Sequence, residues 1–418
     1  MRTSSTRNGD GPGVPRVLPI VLAGFTAFLS LYATQPLLPL LVRVFDASHL
    51  AVSLTVTAPT IAVALVAPAI GRFADLVGRK RVIVGSACGL TIATALAASS
   101  STLSQLVAWR FVQGLATPGI FAVAIAYIHE QWPGAYVGRA TSAYVSGTVI
   151  GGFSGRALSG LVASRAGWQI AFAWLALVTG VAAAILQVRL PADRKPTANA
   201  ASTADRDASG GASTDAGSLS DVVRHPQLVA TNLVGFCVLF TQVAMFTYVT
   251  FHLEAAPFGL STAALGWLFA VYLVGAVVTP IAGRQIDMRG HRAGLASGVA
   301  IGTLGSLLTL IPVLPVIIVG LTLVSTGVFI AQATASSYIG AVTSENRGLA
   351  VGLYSTFYYV GGSLGGALPA VVWTRAGWIG CVYLVMAVQA LTLLIALRSW
   401  RGKNHSPAVR SAAGSPVA

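Results

Sequence analysis

Charged side chains are scarce here, 9% of 418 residues against 55% hydrophobic ones. A soluble domain carries roughly 25% charged residues, so this chain cannot clothe a water-facing surface, and a soluble globular protein is excluded. Cysteine is equally sparse. Cys88, Cys237 and Cys381 stand alone in apolar blocks, with no CxxC pair and no Cys/His cluster. That pattern points to neither a disulfide framework nor a zinc site, and no metal or cofactor is expected. Acidic residues number only 12, and each falls in a loop or at the end of an apolar block. No carboxylate is therefore expected in the middle of a membrane.

The apolar residues are gathered in long runs. Crossing a bilayer as a helix takes about 20 such residues, because the hydrocarbon is about 30 Å thick and the rise is about 1.5 Å per residue. Glycine (45) and proline (19) are frequent inside the runs, which membrane helices tolerate and soluble ones do not. The runs divide into twelve helices, giving an all-α membrane protein. Expected spans include residues 17–41, 51–70, 103–128 and 141–163, then 349–373 and 379–397 for the last two. The first run is longer than a signal-peptide core and reads as a retained helix.

Residues 191–225 break the pattern. They are rich in Ala, Ser, Thr, Gly and Asp without apolar periodicity, the composition of a flexible linker. The expected organisation is a tail (1–16), a six-helix bundle (17–190), the linker, a second six-helix bundle (226–398) and a basic tail (399–418). The two halves repeat each other. SRAGW at Ser164–Trp168 returns as TRAGW at Thr374–Trp378, and GGFSGRAL at Gly151–Leu158 returns as GGSLGGAL at Gly361–Leu368, both at an offset of 210. GRFAD at Gly71–Asp75 returns as GRQID at Gly283–Asp287. Duplicated halves are a transporter signature, with the solute bound between them near mid-membrane.

Lysine and arginine orient the chain. With the N-terminus inside, 21 of the 26 basic residues fall on inner segments, and the outer loops hold only Arg43, Arg165 and Arg375. Both termini and the linker are thus expected in the cytoplasm. The net charge of +14 becomes a topology signal and an attraction to anionic lipid, with no nucleic-acid partner required.

The segment GRFADLVGRKR, from Gly71 to Arg81, closely resembles the loop signature of the major facilitator superfamily. RFVQG at Arg110–Gly114 is similar to the family's fourth-helix pattern, which here comprises Arg110, Gln113 and Gly114. GGFSGRALSG resembles, with one alteration, the helix 5 pattern of many antiporters. Gly151 and Gly155 keep its small-residue face, and Arg156 stands where the family has proline. The resemblance covers nearly the whole chain and is nearest to twelve-helix bacterial efflux permeases of the drug–proton antiporter or sugar-efflux kind. It implies the major facilitator fold, two pseudo-repeated six-helix bundles, in a bacterial inner membrane. It also implies a solute cavity bordered by helices 1, 4, 7 and 10, where Tyr32, Gln35, Gln113, Gln242, Tyr248 and Gln332 fall, with Tyr354 and Tyr358 of helix 11 at its border. A conformational latch is implied at Gly71, Asp75, Gly78, Arg79 and Lys80, with Glu130 as the acid ending helix 4, the aspartate holding the outward-open state against helix 11.

Two arginines are expected inside the membrane. Arg110 lies about 8 Å deep and Arg156 about 23 Å up a 30 Å core, which puts both at a similar level in the outer half. A charge at the bilayer centre costs at least about 2.5–3.5 kcal/mol. Each arginine either bonds backbone carbonyls, snorkels to the surface, or faces the cavity and holds an anionic group. The Gly-x-Ser-x-Gly string at Gly361–Gly365 lies in a glycine-rich apolar run with no histidine in reach, so it does not read as a nucleophile, and no enzyme is expected. The expected function is export of a small drug-like or metabolic solute by alternating access, in exchange for protons, by a monomer. The other reading is an uptake or facilitated carrier for an organic anion, motivated by the two arginines.

Overall fold

The computed structural model describes residues 17–193, 224–343 and 347–400. The N-terminal tail, most of the expected linker and most of the basic tail lie outside the described residues. Helix 1 consists of Leu18–Leu29 and Leu38–Phe45, joined through a 3-10 turn at Gln35–Leu37. Helices 2 and 3 are His49–Val77 and Arg79–Ala98. Helix 4 is Leu103–Ala116 continued by Pro118–Gln131, interrupted where Pro118 supplies no N–H. Helices 5 and 6 are Gly134–Ala166 and Trp168–Arg189. In the second half, helix 7 is Pro226–Glu254, and helix 8 runs as Thr262–Leu268, a 3-10 stretch Phe269–Leu273 and Val274–Arg289. Helices 9 and 10 are His291–Leu308 and Leu314–Val342. Helix 11 is Arg347–Ala367, extended beyond Pro369 to Gly377, whose φ of 55° separates it from helix 12, ending at Ser399.

Among the described residues, eight helical stretches are long and apolar enough to cross a membrane by length and composition alone. The twelve-helix, all-α fold is completed by glycine-rich helices 5, 9 and 11 and by the broken helix 1.

The signature after helix 2 is mostly helix. Helix 2 was expected to end at residue 70 and instead winds on to Val77, so Gly71 and Asp75 are helical. The whole reversal falls on Gly78, with φ 104° and ψ 133°, a conformation a side chain would resist. Gly290, φ 87°, makes the matching reversal between helices 8 and 9.

Glycine also sets the packing within each half. A Cβ on Gly151 or Gly155 would run into the backbone of Phe25 or Leu29 on helix 1. Gly361 and Gly365 lie in the same way against Phe236 and Phe240 on helix 7. In lipid, apolar burial does not drive helices together, so this close backbone approach is what holds the pairs. Gly114 packs helix 4 on the backbone of Pro59 in helix 2.

The expected flexible linker and the basic tail are both tied down at their described ends. Pro191, Ala192 and Asp193 belong to the first bundle: the Tyr127 hydroxyl donates to the Pro191 carbonyl at 2.7 Å and the Lys80 N–H donates to Asp193 at 2.9 Å. At the other end Trp400 is fully buried, stacks on Tyr338 and donates to Thr231 Oγ1 at 3.2 Å.

Candidate functional site: a cavity between the halves

The halves meet through helix 2 on helix 11 and helix 5 on helix 8. The bonds described between them run from mid-membrane towards the end that bears Asp46. There Arg43 pairs with Glu254. Gln35 Nε2 donates to Thr247 Oγ1 at 3.2 Å, and the hydroxyls of Ser53 and Tyr248 lie 3.4 Å apart across the interface; within the second half the Tyr248 hydroxyl donates to the Gly366 carbonyl at 2.9 Å. His49 rests against Phe251 and Trp373. Further along, Ser363 donates to Thr60 Oγ1 at 2.9 Å and Thr356 to the Ala64 carbonyl at 3.3 Å. Ser363 of the Gly-x-Ser-x-Gly string thus serves as a bond between the halves. Towards the Gly78 end, a Cβ on Gly71 or Gly283 would meet nothing within 4 Å. The described bonds between the halves gather towards the Asp46 end and reach no further towards the Gly78 end than Thr356 and Ala64.

Beneath the seal lies a cavity of about 160 Å³. Tyr32, Gln242, Gln332 and Tyr358 are on its wall, as are Tyr272, Phe329 and Tyr359, and Arg156 borders it from helix 5. The other expected wall residues are elsewhere. Gln35 is buried beside the cavity, where it accepts a bond from Arg156. Gln113 is enclosed in the first bundle, donating to Thr94 Oγ1 at 2.8 Å and accepting from Arg110. Tyr248 is part of the seal, and Tyr354 is buried beneath Tyr358, their rings 5.8 Å apart. Apart from Arg156, the wall residues of helices 5 and 8 were missed, because the sequence of a helix that is apolar all round does not reveal which face a partner half will cover.

The two intramembrane arginines do different things. Arg110 is fully buried, and its guanidinium donates to the carbonyls of Thr55 at 2.9 Å and Ser30 at 2.7 Å and to that of Leu31. With Gln113 as a fourth acceptor, it sews helix 4 to helices 1 and 2. Arg156 donates from Nε to Gln35 Oε1 at 2.8 Å and from Nη1 to the Gly152 carbonyl at 2.6 Å. Its guanidinium carbon lies 4.9, 4.8 and 5.0 Å from the ring centres of Tyr32, Phe269 and Tyr272. Aromatic faces attract a cation, each by about 0.5–2 kcal/mol, so the rings partly offset the cost of burying the charge. Arg156 is 5% exposed; it does not snorkel outward.

At the Gly78 end the residues of the signature converge. Arg79 bridges Asp75 at 3.1 Å and Glu130 at 2.8 Å, and donates to the Ala126 carbonyl at 3.0 Å. The Lys80 ammonium donates to the Leu190 carbonyl at 2.6 Å. Among the described residues no bond links Asp75 to helix 11; its carboxylate is engaged by Arg79 and largely exposed.

Two duplicated bundles with a small cavity at their interface, lined mainly by aromatic and aliphatic side chains with two amides and an arginine, have the architecture of a transporter that binds its solute between its halves. The chain belongs to the major facilitator superfamily, whose sequence profile matches residues 20–264 and 250–417. It is a multi-pass membrane transporter. Its relatives include an uncharacterised MFS-type transporter of Bacillus subtilis, YybF, 30% identical over 375 residues and covering 90% of each chain. An inner membrane transport protein of Escherichia coli, YnfM, is 30% identical over 403 residues, which span 93% of this chain and 92% of that one. Among solved structures, a bacterial homologue of the human lysosomal transporter Spinster, inward-facing and occupied, shares the fold with a TM-score of 0.72 at 15% identity, over 92% of this chain and 96% of that one. The human organic anion transporter MFSD10 (TETRAN) shares it with a TM-score of 0.67 at 18% identity, over 91% and 99%.

Proposed function

We propose that this transporter exports a small organic solute across a bacterial inner membrane by alternating access, in exchange for protons. The observation that carries the reading is the one-sided seal: the bonds described between the halves close the Asp46 end and go no further towards the Gly78 end than Thr356 and Ala64. Of the 26 basic residues, 21 lie on the Gly78 side or in the segments continuous with it, so that side is assigned to the cytoplasm. The conformation is then inward-facing and placed to load from the cell interior. A cavity of about 160 Å³ is smaller than the roughly 300 Å³ at which drug-sized pockets begin, which favours a small metabolite over a large drug. The wall comes from both halves of a single chain, and a monomer suffices to form it.

Among the described residues no carboxylate or histidine lines the cavity. Proton exchange must then use carboxylates at the edges, with Asp75 and Glu130 on the cytoplasmic side. Proton flux in energised inside-out vesicles, screened against a solute library, tests the proposal. Solute-dependent proton release is expected. Solute movement that survives collapse of the proton gradient would make the protein a facilitated carrier instead. Reporter fusions at Ser209 and after Ala418 should both read cytoplasmic, and an outward reading from either overturns the orientation.

A further inference from the structure

We infer that the cavity selects a small planar organic acid carrying a single negative charge, and that Arg156 is the residue that selects it. This rests on the carrier reading above and names its substrate class. An arginine has five N–H donors and no acceptor. Arg110 spends its donors on four acceptors, all within the first bundle. Arg156 makes only two hydrogen bonds among the described residues, one from Nε and one from Nη1, and no ion pair. Its Nη2 edge is left for a ligand, although the side chain as a whole is 95% enclosed, its exposure being 5%.

Three rings and a backbone carbonyl hold the guanidinium in place, and neither neutralises it. A carboxylate meeting the Nη1–Nη2 edge would do so in the paired geometry that a planar fork provides. Among the described residues Arg156 is the single charged one on the cavity wall, so one anionic group is matched and a second would be left unpaired in a low-dielectric site. The remaining wall sets the body of the solute. Tyr272, Phe329 and Tyr358 offer flat apolar faces, and the Gln242 and Gln332 amides can bond one further polar group. The volume of about 160 Å³ admits a molecule of one or two rings.

The test follows thermal unfolding of the purified full-length protein in detergent with four probes at matched ionic strength: sodium benzoate, benzamide, benzylammonium chloride and sodium chloride. Benzoate is expected to raise the midpoint by about 2–4 °C at saturating concentration, and the other three by much less. The benzoate shift should vanish in Arg156→Gln and be weakened in Arg156→Lys, which keeps the charge without the fork. Size-exclusion chromatography checks that each variant is folded; if Arg156→Gln is not, the ranking of probes on the wild type and the Arg156→Lys response decide. Stabilisation by benzamide or benzylammonium equal to that by benzoate overturns the anion assignment and leaves the carrier reading standing. An equal shift from chloride overturns the organic part of it, and no benzoate shift at all overturns the class. Arg156-dependent binding of labelled p-aminohippurate without its movement in proteoliposomes would instead overturn the carrier reading.

Discussion

In the first half helix 5 meets helix 1 along Gly151 and Gly155; in the second, helix 11 meets helix 7 along Gly361 and Gly365. One residue further on, at the same offset of 210, the halves part. The first has Arg156, a buried cation bordering the cavity; the second has Gly366, whose carbonyl accepts from Tyr248 in the seal. Both intramembrane arginines belong to the first half, and the amides and several aromatic rings of the wall belong to the second. Packing and chemistry are thus separable in a duplicated fold. Helix contact demands the same small residues from each copy, whereas a cavity between unlike faces lets one copy supply charge and the other supply surface.

The largest effect should come from the arginine with no cavity contact. Arg110→Gln removes the guanidinium bonds to the carbonyls of Thr55, Ser30 and Leu31; Ser30 keeps the Ala33 N–H and Thr55 the Thr34 hydroxyl, while a buried acceptor left without a donor, as at Leu31, costs about 1–3 kcal/mol. Loss of folded protein from the membrane is expected, read by fluorescence-detected size exclusion. An Arg110→Gln variant as stable as the wild type would end the distinction between a structural arginine and a ligand-facing one. Arg156→Gln should by comparison keep most of the fold.

Gly155→Leu and Gly365→Leu come next. Each forces a side chain into the backbone of helix 1 or helix 7, and overpacking costs about 1–3 kcal/mol or more. Similar losses in melting temperature are expected from both, since the two copies pack alike. A large loss from one and none from the other would break the equivalence of the halves.

The smallest effect concerns the paired turns. Asp75→Asn removes one partner of Arg79, an exposed pair worth about 0.2–1 kcal/mol, so stability should hardly change. Transport should fall by up to about fivefold, the factor that corresponds to a bias of roughly 1 kcal/mol between conformations. Asp287→Asn should reduce it less, because the second turn continues MRGHR without the GRKR run of the first. Equal transport by both variants and the wild type would remove the latch from Asp75.

Much of the fold was legible in the residues. Long apolar runs impose helices, and the repeated RAGW strings mark equivalent turns, each made by its glycine, Gly167 with φ 87° and Gly377 with φ 55°. The end of helix 2 was less legible. A glycine at position 71 resembles a stop in sequence, but a membrane helix accepts it, and only Gly78 needs the unusual backbone. The cavity was legible in part. Tyr32, Gln242, Gln332 and Tyr358 fall on its wall, whereas Gln113 and Tyr248 look the same in sequence and are used elsewhere, one inside the first bundle and one in the seal.

What the sequence determined by itself is therefore the solvent, the helices, the duplication and the side on which positive charge collects, because each follows from composition or spacing along one chain. Tertiary structure alone decided the fates of the two arginines. Both reach helix 1, Arg110 at Ser30 and Leu31 and Arg156 at Gln35, and both carry the same charge among apolar neighbours. Carbonyls from helices 1 and 2 surround one of them, and rings from helix 1 and the opposite half surround the other. Whether a buried cation is spent on the fold or kept for a ligand depends on which acceptors converge on it, and that convergence exists only once the helices have packed.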